Sequence, residues 1–299
     1  MTGQEGNAME TYAIEVKDLT RRFPGFLLDR VSFRLPSGCI MGLVGENGAG
    51  KSTTIRLLLN ALRRDSGEVR LLGREAGADV RSLREQVGVV PDELGLPGEL
   101  NALEVGKIMS RVFRSWRERE YTALLQKLDI PPGKHFRELS RGNQMKLGIA
   151  VALAHAPRLL LLDEATSGLD PVVRDEVGDM LLDFTRDEDH SILISSHIVS
   201  DLEKLCDYIA FLHKGRLLLC EEKDRLAEEY CIIRCAAEKL LSIDPSAILH
   251  RKEGPYGAEA VLRRDALPAG TEPGRLGIEE LFVHMVRGEP GAGKGEREQ

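Results

Sequence analysis

Apolar residues in this chain come in short β-branched or leucine-rich runs, separated by longer amphipathic stretches. Tyr12 to Val16 alternates as a strand does, and Leu27 to Leu35 follows so closely that the two predict an antiparallel pair. Cys39 to Val44 reads as a buried strand running into a glycine-rich loop. Ser52 to Leu62 then carries Ile55, Leu58, Leu59 and Leu62 on one stripe, as a helix would. Glu68 to Leu72 and Val87 to Val90 read as short strands. Leu159 to Leu162 and Ile192 to Ile194 are continuous apolar runs, the mark of strands covered on both faces. Helical patterns such as Asp175 to Phe184 fill the gaps. Strands alternating with helices predict a mainly parallel sheet with helices packed on it, an α/β fold.

Two regions break the alternation. Residues 97–153 contain no convincing strand; Leu103, Val105, Ile108, Val112 and Trp116 suit helices, so a helical insertion is expected there. Its polar run Arg114 to Glu120 reads as a solvated helix face. After Cys220 the pattern changes again. Asp224 to Tyr230 and Ile278 to Val286 read as helices, Cys231 to Cys235 and Ala258 to Leu262 as strands, and a small α+β appendage follows over 221–287. Residues 1–10 are polar and read as a flexible start; 288–299, rich in Gly, Glu and Lys, read as a disordered tail. The main domain is expected over 11–220.

Composition narrows the class. The formal charge of −7 argues against a broad phosphate-backbone footprint, so no nucleic-acid partner is expected. No stretch approaches the roughly 18 apolar residues of a membrane span, and the start lacks the apolar segment of a signal peptide, so a cytoplasmic location is expected. Any membrane role must then come through a partner. The five cysteines, at 39, 206, 220, 231 and 235, show no C-x-x-C spacing and read as reduced thiols.

The chemistry gathers at strand ends. Gly45, Glu46, Asn47, Gly48, Ala49, Gly50, Lys51 and Ser52 fit the G-x-x-x-x-G-K-[ST] phosphate loop, with Thr53 next in the helix. Glycines let backbone N–H groups turn inward around an anion, and the helix N-terminus that follows favours phosphate. Lys51 offers a point charge to the β- and γ-phosphates of ATP, and Ser52 offers a hydroxyl to Mg²⁺. The run Leu159 to Leu162 ends in Asp163, placed to reach the metal, and Glu164, placed to polarise an attacking water. His197 closes the next apolar strand, where a donor can stabilise charge on the γ-phosphate.

With these pieces in order, the stretch from about Ile14 to Leu219 resembles the ATP-binding subunit of ABC transporters. Leu139-Ser140-Arg141-Gly142-Asn143-Gln144 is similar to the family signature usually written LSGGQ, and Ser167-Gly168-Leu169-Asp170 to its D-loop. Phe23 resembles the aromatic residue that stacks on adenine, with Phe26 as substitute, and His197 matches the family's switch histidine. The resemblance implies a P-loop ATPase fold of mixed sheet core, antiparallel β subdomain and helical subdomain. It implies a second ATP-binding subunit, the same chain or a paralogue, docked head to tail, so that Ser140, Arg141, Gly142 and Asn143 meet the other subunit's ATP. It implies a separate membrane-spanning permease and a peripheral place on the inner face of the cell membrane. The wording of residues 163–171, the run 187–197 and Ile278 to Phe282 are most similar to bacterial ABC-2-type exporters, including peptide exporters and the YtrB-like group.

Four positions depart from that pattern: Asp92, Arg141, Asn143, which replaces the signature Gln, and Ala165, which replaces a common Pro. Asp92 stands where the family carries Gln after the strand Val87 to Pro91. A carboxylate only accepts hydrogen bonds, but it can ligate Mg²⁺, so Asp92 joins Glu164, His197 and Lys51 among the candidate catalytic groups and Ser52 and Asp163 among the metal ligands. It also adds negative charge near phosphates, about 4 kcal/mol of repulsion per unit pair at about 4 Å and an effective dielectric near 20. Arg141 replaces a glycine in the signature. It either adds a cation near the trans phosphate or faces solvent. A soluble, non-transport ABC ATPase and a weakly hydrolysing ATP-dependent switch stand as alternative functions.

Overall fold

The computed structural model describes residues 12–77, 80–240, 243–254, 257–267 and 271–288. The flexible start expected at 1–10 and all but the first residue of the tail expected at 288–299 lie outside them.

Strands β1 (Tyr12–Phe23) and β2 (Phe26–Pro36) form the antiparallel pair that their spacing predicts. Strand β3 (Ile40–Val44) then runs into the phosphate loop and helix α1 (Lys51–Leu58). This helix is shorter than its apolar stripe suggests. Asn60 takes the left-handed conformation (φ 52°), and Ala61 and Asn60 donate back to Arg56 O and Leu57 O at 2.9 and 3.1 Å, a Schellman stop. Strands β4 (Ser66–Leu71) and β5 (Arg74–Glu75) complete an antiparallel sheet in the order β2-β1-β4-β5. Helix α2 (Val80–Arg84) leads to β6 (Val87–Val90).

The insertion is helical, as expected: α3 (Ala102–Val112), α4 (Glu118–Lys127) and α5 (Arg141–Leu153). Asn101 and Glu104 close a capping box on α3. One local expectation is corrected. Arg114 to Arg117 form a turn rather than a helix face, because the Glu85 carboxylate accepts the backbone N–H groups of Arg114 and Ser115 at 3.0 and 3.1 Å. Trp116 therefore lies outside a helix and leans on Tyr121.

The chain returns to the sheet through β7 (Leu159–Asp163), α6 (Pro171–Phe184), β8 (Ser191–Ser196), α7 (Val199–Leu205), β9 (Tyr208–His213) and β10 (Arg216–Glu222). Helix α6 starts earlier than its apolar pattern, because Asp170 caps it by accepting from Val172 and Val173 N–H at 3.1 Å and Pro171 fits its first position. The central sheet has the order β10-β9-β3-β8-β7-β6, parallel except for β10. Side chains alternate across it. Leu160, Leu162, Ile192, Ile194 and Phe211 join the core on the helical side, and Leu159, Leu161, Leu193 and Leu212 join the core under the antiparallel sheet. All residues of β3, β7 and β8 are buried. Burying one such leucine contributes about 1.5–3 kcal/mol, and this sheet is the rigid frame for the loops at its carboxyl edge.

The appendage comprises α8 (Lys223–Glu229), β11 (Tyr230–Cys235), α9 (Ala237–Leu240), β12 (Ile248–Gly254), β13 (Gly257–Arg263) and α10 (Ile278–Gly288). Its sheet has the order β11-β13-β12, and β12 is a strand that the sequence pattern did not reveal. Phe282 of α10 meets Phe211 of β9 with ring centroids 5.1 Å apart, joining the appendage to the main core. All five cysteines are free thiols. Burial raises Cys206 far above the ordinary thiol range and pushes Cys220 up to about 11. Among the described residues no helix is long and apolar enough to cross a membrane.

Candidate active site

The phosphate loop sits where β3 ends. Gly45 has no room for a side chain, since a Cβ there would lie 2.4 Å from Leu212 O. Gly50, the residue that opens α1, takes φ 111°, and a Cβ there would meet the Phe26 ring at 2.9 Å. Gly48, with φ 82°, has open space where a Cβ would be, as a cradle for an anion requires. The first intrahelical bond is Thr54 N–H to Gly50 O at 2.8 Å. The N–H groups of Lys51, Ser52 and Thr53 find no acceptor among the described residues and remain available to phosphate.

Lys51 is 5% exposed, and its Nζ donates to Gly45 O at 2.7 Å and Glu46 O at 3.2 Å. The same Nζ lies 3.1 Å from Glu164 Oε1. The second oxygen of Glu164 lies 2.7 Å from His197 Nδ1. Lys51, Glu164 and His197 thus form one chain of charge and hydrogen bonds at the mouth of the loop. Glu164 is held there by its backbone, whose N–H donates to Ser195 O and Ser195 Oγ, each at 3.1 Å. Its φ of 53° is unusual for a residue with a long side chain and aims the carboxylate back across the sheet edge, at a backbone cost of about 1 kcal/mol or more.

Asp163, buried, accepts from Ser195 Oγ at 2.7 Å through Oδ1. Ser195 is a positioning group that the strand pattern alone did not single out. The available signal was the hydroxyl pair Ser195-Ser196 following the apolar run Ile192 to Ile194. The hydroxyl of Ser52 and the carboxylate of Asp163 are hard oxygen donors at the ends of adjoining elements, a set suited to Mg²⁺. Glu46 extends toward His213, its carboxylate 3.3 Å from Nδ1 of that buried ring. Asn47 and Ala49 complete the loop, with Ala49 buried. Phe23 ends β1 with its ring under Arg21, 5.2 Å from the guanidinium carbon, and Phe26 packs on Gly50.

The signature begins a helix, as its sequence suggests. Ser140 caps α5, its Oγ accepting from Asn143 N–H at 3.2 Å, and Gly142 follows in the first turn against Val173. In the D-loop candidate, Ser167 N–H donates to Glu164 O at 3.0 Å, so the loop starts from the backbone of the candidate catalytic carboxylate. Gly168 takes φ 69°, Leu169 is buried, and Asp170 caps α6. Asp92 lies beyond β6, whose Val90 pairs with Leu162 of β7; two residues on in each segment stand Asp92 and Glu164. Arg141 is neither bare nor turned wholly outward. Its Nη2 lies 3.4 Å from Asp92 Oδ1.

Comparisons with known proteins bear on this geometry. Residues 28–167 match the family model described as ABC transporter. The ABC transporter ATP-binding protein YtrB of Bacillus subtilis (strain 168) is 32% identical over 75% of this chain and 76% of its own length. The bacitracin transport ATP-binding protein BcrA of Enterococcus faecalis is 31% identical over 69% of this chain and 68% of its own. A solved ATP-binding subunit of an ABC transporter superposes with a TM-score of 0.64 and 26% identity, over 72% of this chain and 91% of that one.

Proposed function

This chain belongs to the ATP-binding subunits of ABC transporters, which hydrolyse ATP to power transport, and from that premise we propose how its site works and what it drives. It is the ATPase of a bacterial exporter, paired with a second ATP-binding subunit and acting on a separate membrane-spanning partner. The observation that carries the reading is the chain from Lys51 through Glu164 to His197 beside a loop of free N–H groups.

Phosphate entering the loop competes with Glu164 for Lys51. Once Lys51 turns to the phosphates, Glu164 is released toward the attacking water, oriented by His197. Ser52 and Asp163 are the residues that would hold Mg²⁺, which supplies charge neutralisation on the transferring phosphate. Ser140 and Gly142 serve the partner's ATP, because the start of α5 presents N–H donors outward.

The permease fits a groove of ≈ 710 Å³ between α3 and the sheet. It is lined by Val89, Ile108, Met109, Val112, Phe113 and His155, and Ile108 and Val112 are 45% and 61% exposed. An apolar strip of that kind on a charged surface marks a docking face. The names of the relatives, bacitracin transport and Nod factor export among them, support an exporter.

The test uses purified protein. Phosphate release should fall by about 10²–10⁴ in Glu164→Gln, and that variant should form an ATP-dependent dimer on size exclusion. A variant that hydrolyses like wild type would sink the reading, and one that stays monomeric with ATP at every concentration would make the second subunit a paralogue. Val112→Asp should release a co-purified membrane subunit while ATP binding persists.

A further inference from the structure

We propose that Arg141 is a positioning residue for its own subunit's site: it neutralises Asp92 in cis and is not a direct ligand of the partner's phosphate. The proposal rests on the ATPase reading above and deepens it.

The two residues are two of the departures from the family pattern noted in the sequence, a carboxylate where an amide is usual and a cation where a glycine is usual. They lie 49 positions apart, and they meet. Asp92 follows β6 and Arg141 opens α5, so the contact ties the signature helix to the sheet edge beside Glu164. One face of the exposed guanidinium is covered on its way to Asp92. It lies across Gly168 of the D-loop, where a Cβ would be 3.1 Å from Arg141 Cζ and 3.2 Å from both Nε and Nη1. That glycine leaves the slot that the planar group fills. Arg141 is therefore aimed along its own chain, toward Asp92.

The chemistry explains the pairing. An uncompensated carboxylate beside the phosphates would oppose nucleotide binding, whereas a neutral amide would not. A guanidinium on that carboxylate returns the pair to near neutrality and leaves Asp92 oxygen-rich on its other edge. With the side chains of Arg141 and Asp92 57% and 50% exposed, solvent screens the pair, so the effect is modest.

A binding cycle tests this. The affinity of purified subunit for a fluorescent ATP analogue is measured in EDTA for wild type, Arg141→Met, Arg141→Lys, Asp92→Asn and the Asp92→Asn/Arg141→Met double variant. Low protein concentration keeps the subunits apart. Arg141→Met should weaken binding about two- to fivefold, the range of an exposed pair. Arg141→Lys should retain most of the affinity, and Arg141→Met should cost nothing further in the Asp92→Asn background. A loss of equal size in both backgrounds, or no loss in either, overturns the proposal. Because unpaired subunits are measured, a trans role for Arg141 gives no loss and is told apart. A wild-type subunit that fails to bind the analogue would instead bring down the ATPase reading.

Discussion

The two halves of the nucleotide site are finished to different degrees. On the phosphate-loop half, Lys51, Glu164 and Asp163 are buried and every charge meets a partner within the subunit. On the signature half, Ser140, Arg141 and Asn143 stand at the open end of α5, and the caps and ion pairs there are exposed. The first half is preorganised for chemistry on a ligand it holds by itself. The second is a surface, and on the proposed reading it becomes a site against another molecule. On the reading proposed above, this asymmetry gives a physical reason for pairing: the buried half would supply reaction, and the exposed half the dependence on closure.

The largest effects should fall on the buried half. Lys51→Ala removes the cation from two loop carbonyls and from Glu164, and leaves that carboxylate supported by His197 alone. Breaking a buried ion pair on one side typically costs about 3–5 kcal/mol, discounted here because His197 remains. ATP binding should fall more than about a hundredfold, with a clear drop in melting temperature. Calorimetric titration showing affinity within tenfold of wild type would contradict the assignment of the loop. Glu164→Gln comes next. It keeps the shape and removes the base, so the rate constant for hydrolysis should fall by about 10²–10⁴ while ATP stays bound. If single-turnover hydrolysis persisted at the wild-type rate, the buried half would lose its claim to the chemistry.

The sequence exposed the buried half more fully than the other. Leu159 to Leu162 could be read as a covered strand because every residue is apolar, and the acids that follow were then placed by the parallel sheet. The same logic placed Gly45 to Ser52 and His197. It missed Ser195, because one hydroxyl at a strand end carries no periodic signal, although that hydroxyl holds Asp163. The meeting of Asp92 and Arg141 was invisible for another reason. It joins segments 49 residues apart through a loop geometry that neither segment encodes alone. In the appendage, β12 went unread because its residues 248–254 include His250, Arg251, Lys252 and Glu253, too polar to stand out as a strand. Helix ends were misjudged where a single residue overrode the stripe: Asn60 cut α1 short, and Asp170 began α6 early.

A middle-sized effect separates closure from stability on the signature half. Ser140→Ala removes the cap on α5, at about 1 kcal/mol, which should lower the melting temperature by about 2–4 °C for a chain of this size. Ser140→Asn restores a capping oxygen and should recover that stability. It also puts a longer side chain on the face that meets the partner. ATP-dependent pairing, followed by sedimentation, should therefore stay impaired in Ser140→Asn while its melting temperature returns. Recovery of both together would make Ser140 a structural cap and nothing more.

The smallest effect is a pH dependence, and it should belong to the signature half alone. His155 follows α5 and is 1% exposed, stacked on Phe113 with ring centroids 4.0 Å apart, its Nε2 3.4 Å from Val87 O. Burial holds the imidazole below its ordinary range in the folded chain, where it is kept neutral. The unfolded chain takes up a proton near pH 6.5, before the folded one does. Between those two values the unfolded state binds more protons, so stability rises with pH. The contribution of His155 is thus fully present above about pH 6.5 and is lost as pH falls through that value toward the folded pKa. His155→Gln keeps a polar group near Val87 O and cannot titrate. Wild type should therefore lose more melting temperature than this variant between pH 7.5 and pH 5.5. His250 and His284, also held low by burial, are present in both proteins and cancel in the difference. Amide exchange should place the excess loss in α3 and α5, with β7 and β8 unchanged. Equal losses in the two proteins would remove His155 as the cause, and an excess loss in β7 would mean that the two halves do not open separately.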